Sequence, residues 1–256
     1  MDSSYLVVCL LNAFLSYTAT MLNIVTIHAI RKTPSLTKNL KTLLLSLAAS
    51  DLGVGLVAQP LYVASLSMKS RLNIEASKTY VNAIHIARLI PTNLFTFATL
   101  FLTIVLCAER FIAILYYLRY QELVTYKRVV AVVVSIWVSS GLFSLTRLWI
   151  PKSIMYVVFG ITEVACIIAA NFFSIRIYSS VRLHVNQMQV LQPQHVPQNA
   201  QMVNVRRLRK FAMMSVYVCF VLTVCYLPNI CTLFAVAFTS RPVSYTHLTL
   251  PTKRIV

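Results

Sequence analysis

The sequence predicts an all-α membrane protein, a bundle of apolar helices. Hydrophobic residues make up 58% of its 256 residues, charged residues only 11%, and apolar runs of bilayer-crossing length recur along the chain. A soluble domain carries about 25% charged residues. The mean hydropathy of +0.74 agrees with a lipid environment.

A helix that crosses the hydrocarbon core needs about 20 mainly apolar residues. The runs that meet this test are Tyr5 to Ile30, Leu40 to Leu66, Val81 to Tyr116, Val129 to Trp149, Ile154 to Val181 and Phe211 to Phe238. The third exceeds what a bilayer requires, and Asn82, His85 and Arg88 interrupt its start, so tilt or protrusion is expected there. No basic leader with a small-residue cleavage site opens the chain, so the first run is expected to remain as a helix. Val185 to Asn204 is rich in Gln, Asn and Pro and reads as a mobile polar loop.

The charge is strongly basic, 23 Lys and Arg against 6 acids, for a net +17. Nucleic acid is not the expected partner, because the bases do not gather on one polar face. They sit in short connectors between apolar runs. Arg31, Lys32, Lys38, Lys41, Arg119, Lys127, Arg128, Arg182, Arg206, Arg207, Arg209 and Lys210 fall on one side. Lys69, Arg71, Lys78, Arg147, Lys152 and Arg241 fall on the other. This roughly twofold excess predicts an extracellular N-terminus. Cys9, Cys107, Cys166, Cys219, Cys225 and Cys231 lie in apolar runs without metal-ligand spacing and read as membrane-buried thiols. No Asn-x-Ser/Thr acceptor for glycosylation occurs.

Asp51 is the sharpest single residue. Counting 1.5 Å per residue from Leu40 places it about 16 Å down the second helix, near the midplane. An ionisable group there is costly unless it is protonated, hydrated, paired or ion-bound. Asn23 and Thr99 are the polar residues expected to share its cavity. Glu109 and Arg110 lie at the far end of the third helix; snorkelling to the interface and a functional pair are both open. Pro228 removes a backbone donor and kinks the sixth helix, as an inert bend or as a lever.

Together these residues resemble the rhodopsin-like family of G-protein-coupled receptors, with one motif per helix in order. Asn23 matches the first-helix Asn, and Leu47-Ala48-Ala49-Ser50-Asp51-Leu52 the second-helix signature. Glu109-Arg110-Phe111 matches the Asp/Glu-Arg-Tyr triplet, Trp137 the fourth-helix Trp and Tyr178 the fifth-helix Tyr. Cys225-Tyr226-Leu227-Pro228 matches the sixth-helix Cys-Trp-x-Pro. The resemblance implies a rhodopsin-like helix bundle over residues 1–242, with six of seven transmembrane helices present. Residues 243–256 resemble translated sequencing-adapter sequence and read as a non-native tail. The seventh helix is therefore expected to be missing.

Three departures resemble the melanocortin, cannabinoid, lysolipid and adenosine receptor cluster. His85 stands where a third-helix Cys is usual, the second extracellular connector is short around Ile150 to Ser153, and Ala170 replaces a fifth-helix proline. Thr92 stands where amine receptors carry Asp, Arg88 opposes an opsin and would suit an anionic group, Tyr226 replaces the usual Trp, and Leu208 stands where an acid often pairs with the third-helix Arg.

The resemblance implies a ligand pocket at Arg88, Thr92, Asn93, Thr96, Glu163, Tyr226, Asn229 and Leu233. It implies a coupling switch at Glu109, Arg110, Leu118, Tyr178 and Pro228, and a sodium site, incomplete here, at Asp51 and Thr99. Asn23 and Trp137 would pack helices. The implied partners are a heterotrimeric G protein, the lipid bilayer, and a small-molecule, lipid or short peptide ligand. A multi-pass protein of the plasma membrane is expected, with no cofactor and no catalytic residues. The competing reading is a six-helix transporter or channel using Asp51 for ion passage, for which internal repeats would be expected; none is visible.

Overall fold

A computed structural model describes residues 3–34, 36–71, 78–116, 119–190 and 198–239. All of its regular structure is helical: α1 (Ser3–Lys32), α2 (Lys38–Gly53), a π-helical segment (Val54–Ala58), α3 (Gln59–Arg71), α4 (Lys78–Leu115), the short α5 (Tyr120–Leu123), α6 (Tyr126–Leu145), a 3-10 turn (Thr146–Leu148), α7 (Lys152–Val190) and α8 (Gln198–Thr239). Six spans within these helices are long and apolar enough to cross a membrane: Leu6–Lys32, Lys38–Leu66, Ile86–Leu115, Tyr126–Leu148, Ile154–Leu183 and Cys219–Val236. The outward faces agree, since Leu10, Phe14, Leu142, Ile168 and Phe220 are each more than 60% exposed. Side chains this apolar are stable outside only against hydrocarbon.

The second span is two helices joined by a defect with a local cause. Pro60 has no N–H and its ring clashes with the carbonyl four residues back, so regular α-helix fails just before it. The chain widens instead, and Gln59 N–H bonds to Val54 O, the longer π spacing. In that spacing Pro60 would have to donate to Gly55 O, which it cannot do. Ser16 Oγ of α1 donates to Gly55 O at 2.6 Å in its place. A Cβ at Gly55 would meet Thr20 Oγ1 at 2.6 Å, so this close approach of α1 requires the glycine.

α4 lies at the centre, touching α2, α3, α6 and α7, while α7 packs along α8. An aromatic cluster holds the centre together. The Phe97 ring sits 4.7 Å from Phe143 and 5.1 Å from Phe159, in edge-to-face geometry. Leu100, Met155 and Cys166 are buried with them, and Tyr226 and Leu233 of α8 pack on top.

The helices outrun the apolar runs at one place. The expected loop from Val185 to Asn204 is helical up to Val190 and again from Gln198. The residues at both ends of this stretch are ordinary helix formers, and hydropathy cannot register a helix that continues into water. Residues 243–256 and Leu118 lie outside the described residues. The connector after α6 is short, as expected, with α7 beginning at Lys152. Among the described residues no disulfide forms; Cys107, Cys166 and Cys219 are buried, whereas Cys225 and Cys231 are exposed on the outer face of α8.

Candidate functional site

Among the polar side chains within the bundle, three groups contain residues expected at the site. The first surrounds Asp51. Thr99 of α4 donates to Asp51 Oδ1 at 3.0 Å, and Ser50 Oγ lies 3.0 Å from Thr99 Oγ1. Ser50 also donates to Leu47 O at 2.7 Å. The protons do not suffice for these contacts. With Thr99 donating to an ionised Asp51 and Ser50 donating to Leu47, none remains for the Ser50–Thr99 contact. A proton on Asp51, or a cation among the three oxygens, removes the shortage. Asn23 does not join this group: its amide donates to Ala19 O of its own helix at 2.9 Å. A helical Asn can satisfy its amide locally in this way, on the carbonyl four residues back. No cluster of three or more His, Cys, Asp or Glu suited to a metal occurs among the described residues.

The second group closes the opposite end of α4. Glu109 is only 4% exposed, and Arg110 Nε approaches its Oε2 to 2.7 Å. That contact is an ion pair whose angle misses a hydrogen bond, while Arg110 Nη2 donates to Oε1 at 3.3 Å. Tyr120 of α5 donates its phenol proton to the same Oε1. Asn39 of α2 holds the connector by donating to Val124 O at 2.7 Å. Burial, and after it the hydrogen bond to Glu109 and the negative charge of that residue, raise the Tyr120 phenol above its ordinary pKa of 10.0; Asn39 and Arg110 pull weakly the other way. Tyr178 is 39% exposed on α7. Ile177 and Val181, beside it in sequence, are the residues that pack on Phe111 and Ile114.

The third group lies between α7 and α8. The Asn229 amide donates to both oxygens of Glu163, at 3.0 and 2.9 Å, and Glu163 is 3% exposed. Tyr226 and Leu233 border the aromatic cluster next to it. The α4 residues of the expected pocket are less gathered. The Arg88 guanidinium lies 5.1 Å over the Tyr62 ring of α3. Thr92 donates back to Arg88 O at 2.8 Å. Asn93 Nδ2 is buried without a hydrogen-bond partner among the described residues. Thr96 is half-buried on the same helix. Trp137 donates from Nε1 to Ser46 Oγ at 2.9 Å, joining α6 to α2. Pro228 sits within α8 without ending it.

Ser50, Tyr120, Asn39 and Tyr62 were not anticipated. A hydroxyl next to Asp51 was the only sequence signal for Ser50, and none existed for the others.

The sequence matches the family described as 7 transmembrane receptor (rhodopsin family) over residues 22–253. The chain belongs to this family. No individual curated protein matches it. The receptor is thus a multi-pass membrane protein that transduces an extracellular signal to heterotrimeric G proteins. The transporter reading finds no support in the match. Within the receptor, Glu109 and Arg110 of the family triplet are bound to each other, and the second-helix Asp51 is engaged by Thr99.

Proposed function

We propose that the receptor takes a small-molecule, lipid or short peptide ligand between the outer halves of α4, α7 and α8, and that ligand binding releases the Glu109–Arg110 pair. The N-terminus is extracellular and the membrane is the plasma membrane in this reading. The single observation that carries the pocket is Glu163, a buried carboxylate whose hydrogen-bond partner among the described residues is the neutral Asn229 amide. A buried charge with only a neutral partner is unfavourable. A cationic or hydrogen-bond-donating group of a ligand would relieve it and compete for Asn229. Arg88, Thr92, Asn93, Thr96, Tyr226 and Leu233 supply the remaining contacts; the unpartnered Asn93 amide is the donor most in need of an acceptor.

Ligand-driven movement of α8 about Pro228 would open the inner end of the bundle, a rigid-body switch between two packings. Arg110 would then leave Glu109 for the G protein and Tyr178, with Leu118 packing on the G protein. Asp51, Thr99 and Ser50 offer a carboxylate and two hydroxyls, hard oxygen ligands suited to a sodium ion that would favour the closed packing. His85 and the short connector before α7 favour the melanocortin, cannabinoid, lysolipid and adenosine cluster as the nearest ligand chemistry.

The test is a panel of small amines, lipids and short peptides assayed by G-protein nucleotide exchange in membranes. Compounds that activate are expected to lose about tenfold in potency on Glu163→Gln, the loss of one charge-assisted contact. Potency unchanged in Glu163→Gln and in Asn229→Ala would place the ligand elsewhere.

A further inference from the structure

A crevice of about 220 Å³ opens between the ends of α4 and α7, lined by Leu115, Arg176, Ser179, Ser180 and Leu183. Leu115 closes α4, where its apolar span stops. A hydrocarbon core takes about 20 helical residues, and a count of about 20 from Ile154 reaches Phe173, so Arg176 lies near the membrane boundary at that end of α7. An arginine at that level favours an anionic group of the interface. Among the described residues Arg176 pairs with no acid; it lies over the face of Phe172, 6.0 Å away. Ser179 and Ser180 point the same way. Other helical hydroxyls, such as Thr162, donate back to their own helix, but no bond is made by these two among the described residues. Three donors with no acceptor thus surround one cavity, and two leucines flank it.

We propose that this crevice binds the headgroup phosphate of an anionic phospholipid. Arg176 extends toward the boundary and pairs with the phosphate, as long basic side chains do near an interface. Ser179 and Ser180 donate to its oxygens, and Leu115 and Leu183 meet the first methylenes of the acyl chains. A zwitterionic lipid has the same phosphate but carries its own cation, so net negative charge is preferred.

Native mass spectrometry of the full chain, with phosphatidylglycerol and phosphatidylcholine supplied in equal amounts, tests this. Retention of phosphatidylglycerol is expected to exceed that of phosphatidylcholine, and Arg176→Gln is expected to lower it about fivefold, the effect of one basic group at an anionic surface. Arg182→Gln, an exposed arginine outside the crevice, controls for the net charge of +17 and is expected to change retention little. Equal losses in the two variants, or no preference in the unaltered chain, would overturn the proposal. So would displacement of the lipid by millimolar inorganic phosphate, which would mark a free-anion site. The measurement on the unaltered chain stands even if a variant fails to fold.

Discussion

Two buried glutamates of the receptor differ in one respect. Glu109 is 4% exposed and Glu163 is 3% exposed. Glu109 faces a guanidinium and a phenol, whereas Glu163 faces the amide of Asn229. Glu109 is therefore countered by a cation within the protein, whereas Glu163 meets no cation among the described residues. The difference teaches that the proposed coupling site is closed on itself, while the proposed ligand site keeps capacity for a further partner.

The largest expected effect concerns the guanidinium that distinguishes the two sites. Arg110→Ala is expected to abolish nucleotide exchange while surface amounts stay at the level of the unaltered receptor; exchange that persists would break the assignment of this end as the coupling site. Stability then separates the two acids. Glu109→Gln strips Arg110 of its counter-charge and is expected to cost about 1–3 kcal/mol, below the full penalty for a buried pair because Arg110 is partly exposed. Glu163→Gln removes a buried carboxyl group that meets no cation among the described residues and is expected to leave the melting temperature unchanged or raise it. Thermal unfolding in detergent compares them, and equal losses would erase the distinction.

Tyr120→Phe is expected to cost less than the loss of the Glu109 charge, about 1–2 kcal/mol for a hydrogen bond to a charged acceptor from a donor partly open to solvent. This contact also has a pH signature. Because the folded phenol has a raised pKa, its contribution is fully present below the ordinary value of 10.0 and disappears as the pH climbs through the higher folded value. Ultraviolet titration is expected to show one late-ionising tyrosine that the Phe variant lacks. A phenolate appearing at the ordinary pH would show the Glu109 contact to be absent in solution.

The six spans were legible because bilayer thickness imposes a length that hydropathy reads directly. The Asp51–Thr99 contact was legible for a related reason, since a carboxylate at that depth must find a polar neighbour. Asn23 failed the same reasoning because a helical amide has a carbonyl of its own within reach. The extension of α7 to Val190 and the start of α8 escaped because their polar turns carry no apolar period. Tyr120 escaped for a different reason: it reaches Glu109 only once the connector folds back beneath α4, and no spacing encodes that return. Glu163 and Asn229 were each expected in the pocket, but their direct pairing depends on the relative rotation of α7 and α8.

The widened turn before Pro60 carries one more residue than a straight helix would, and each residue of an α-helix turns the chain by about 100°. Everything beyond Ala58 in the second span is therefore out of phase with everything before it. Asp51 belongs to one angular frame and faces Thr99; Tyr62 belongs to another and faces Arg88. A single inserted residue lets one helix present two unrelated faces to the same neighbour, so that the level of Asp51 and the level of Arg88 can diverge in sequence without disturbing each other.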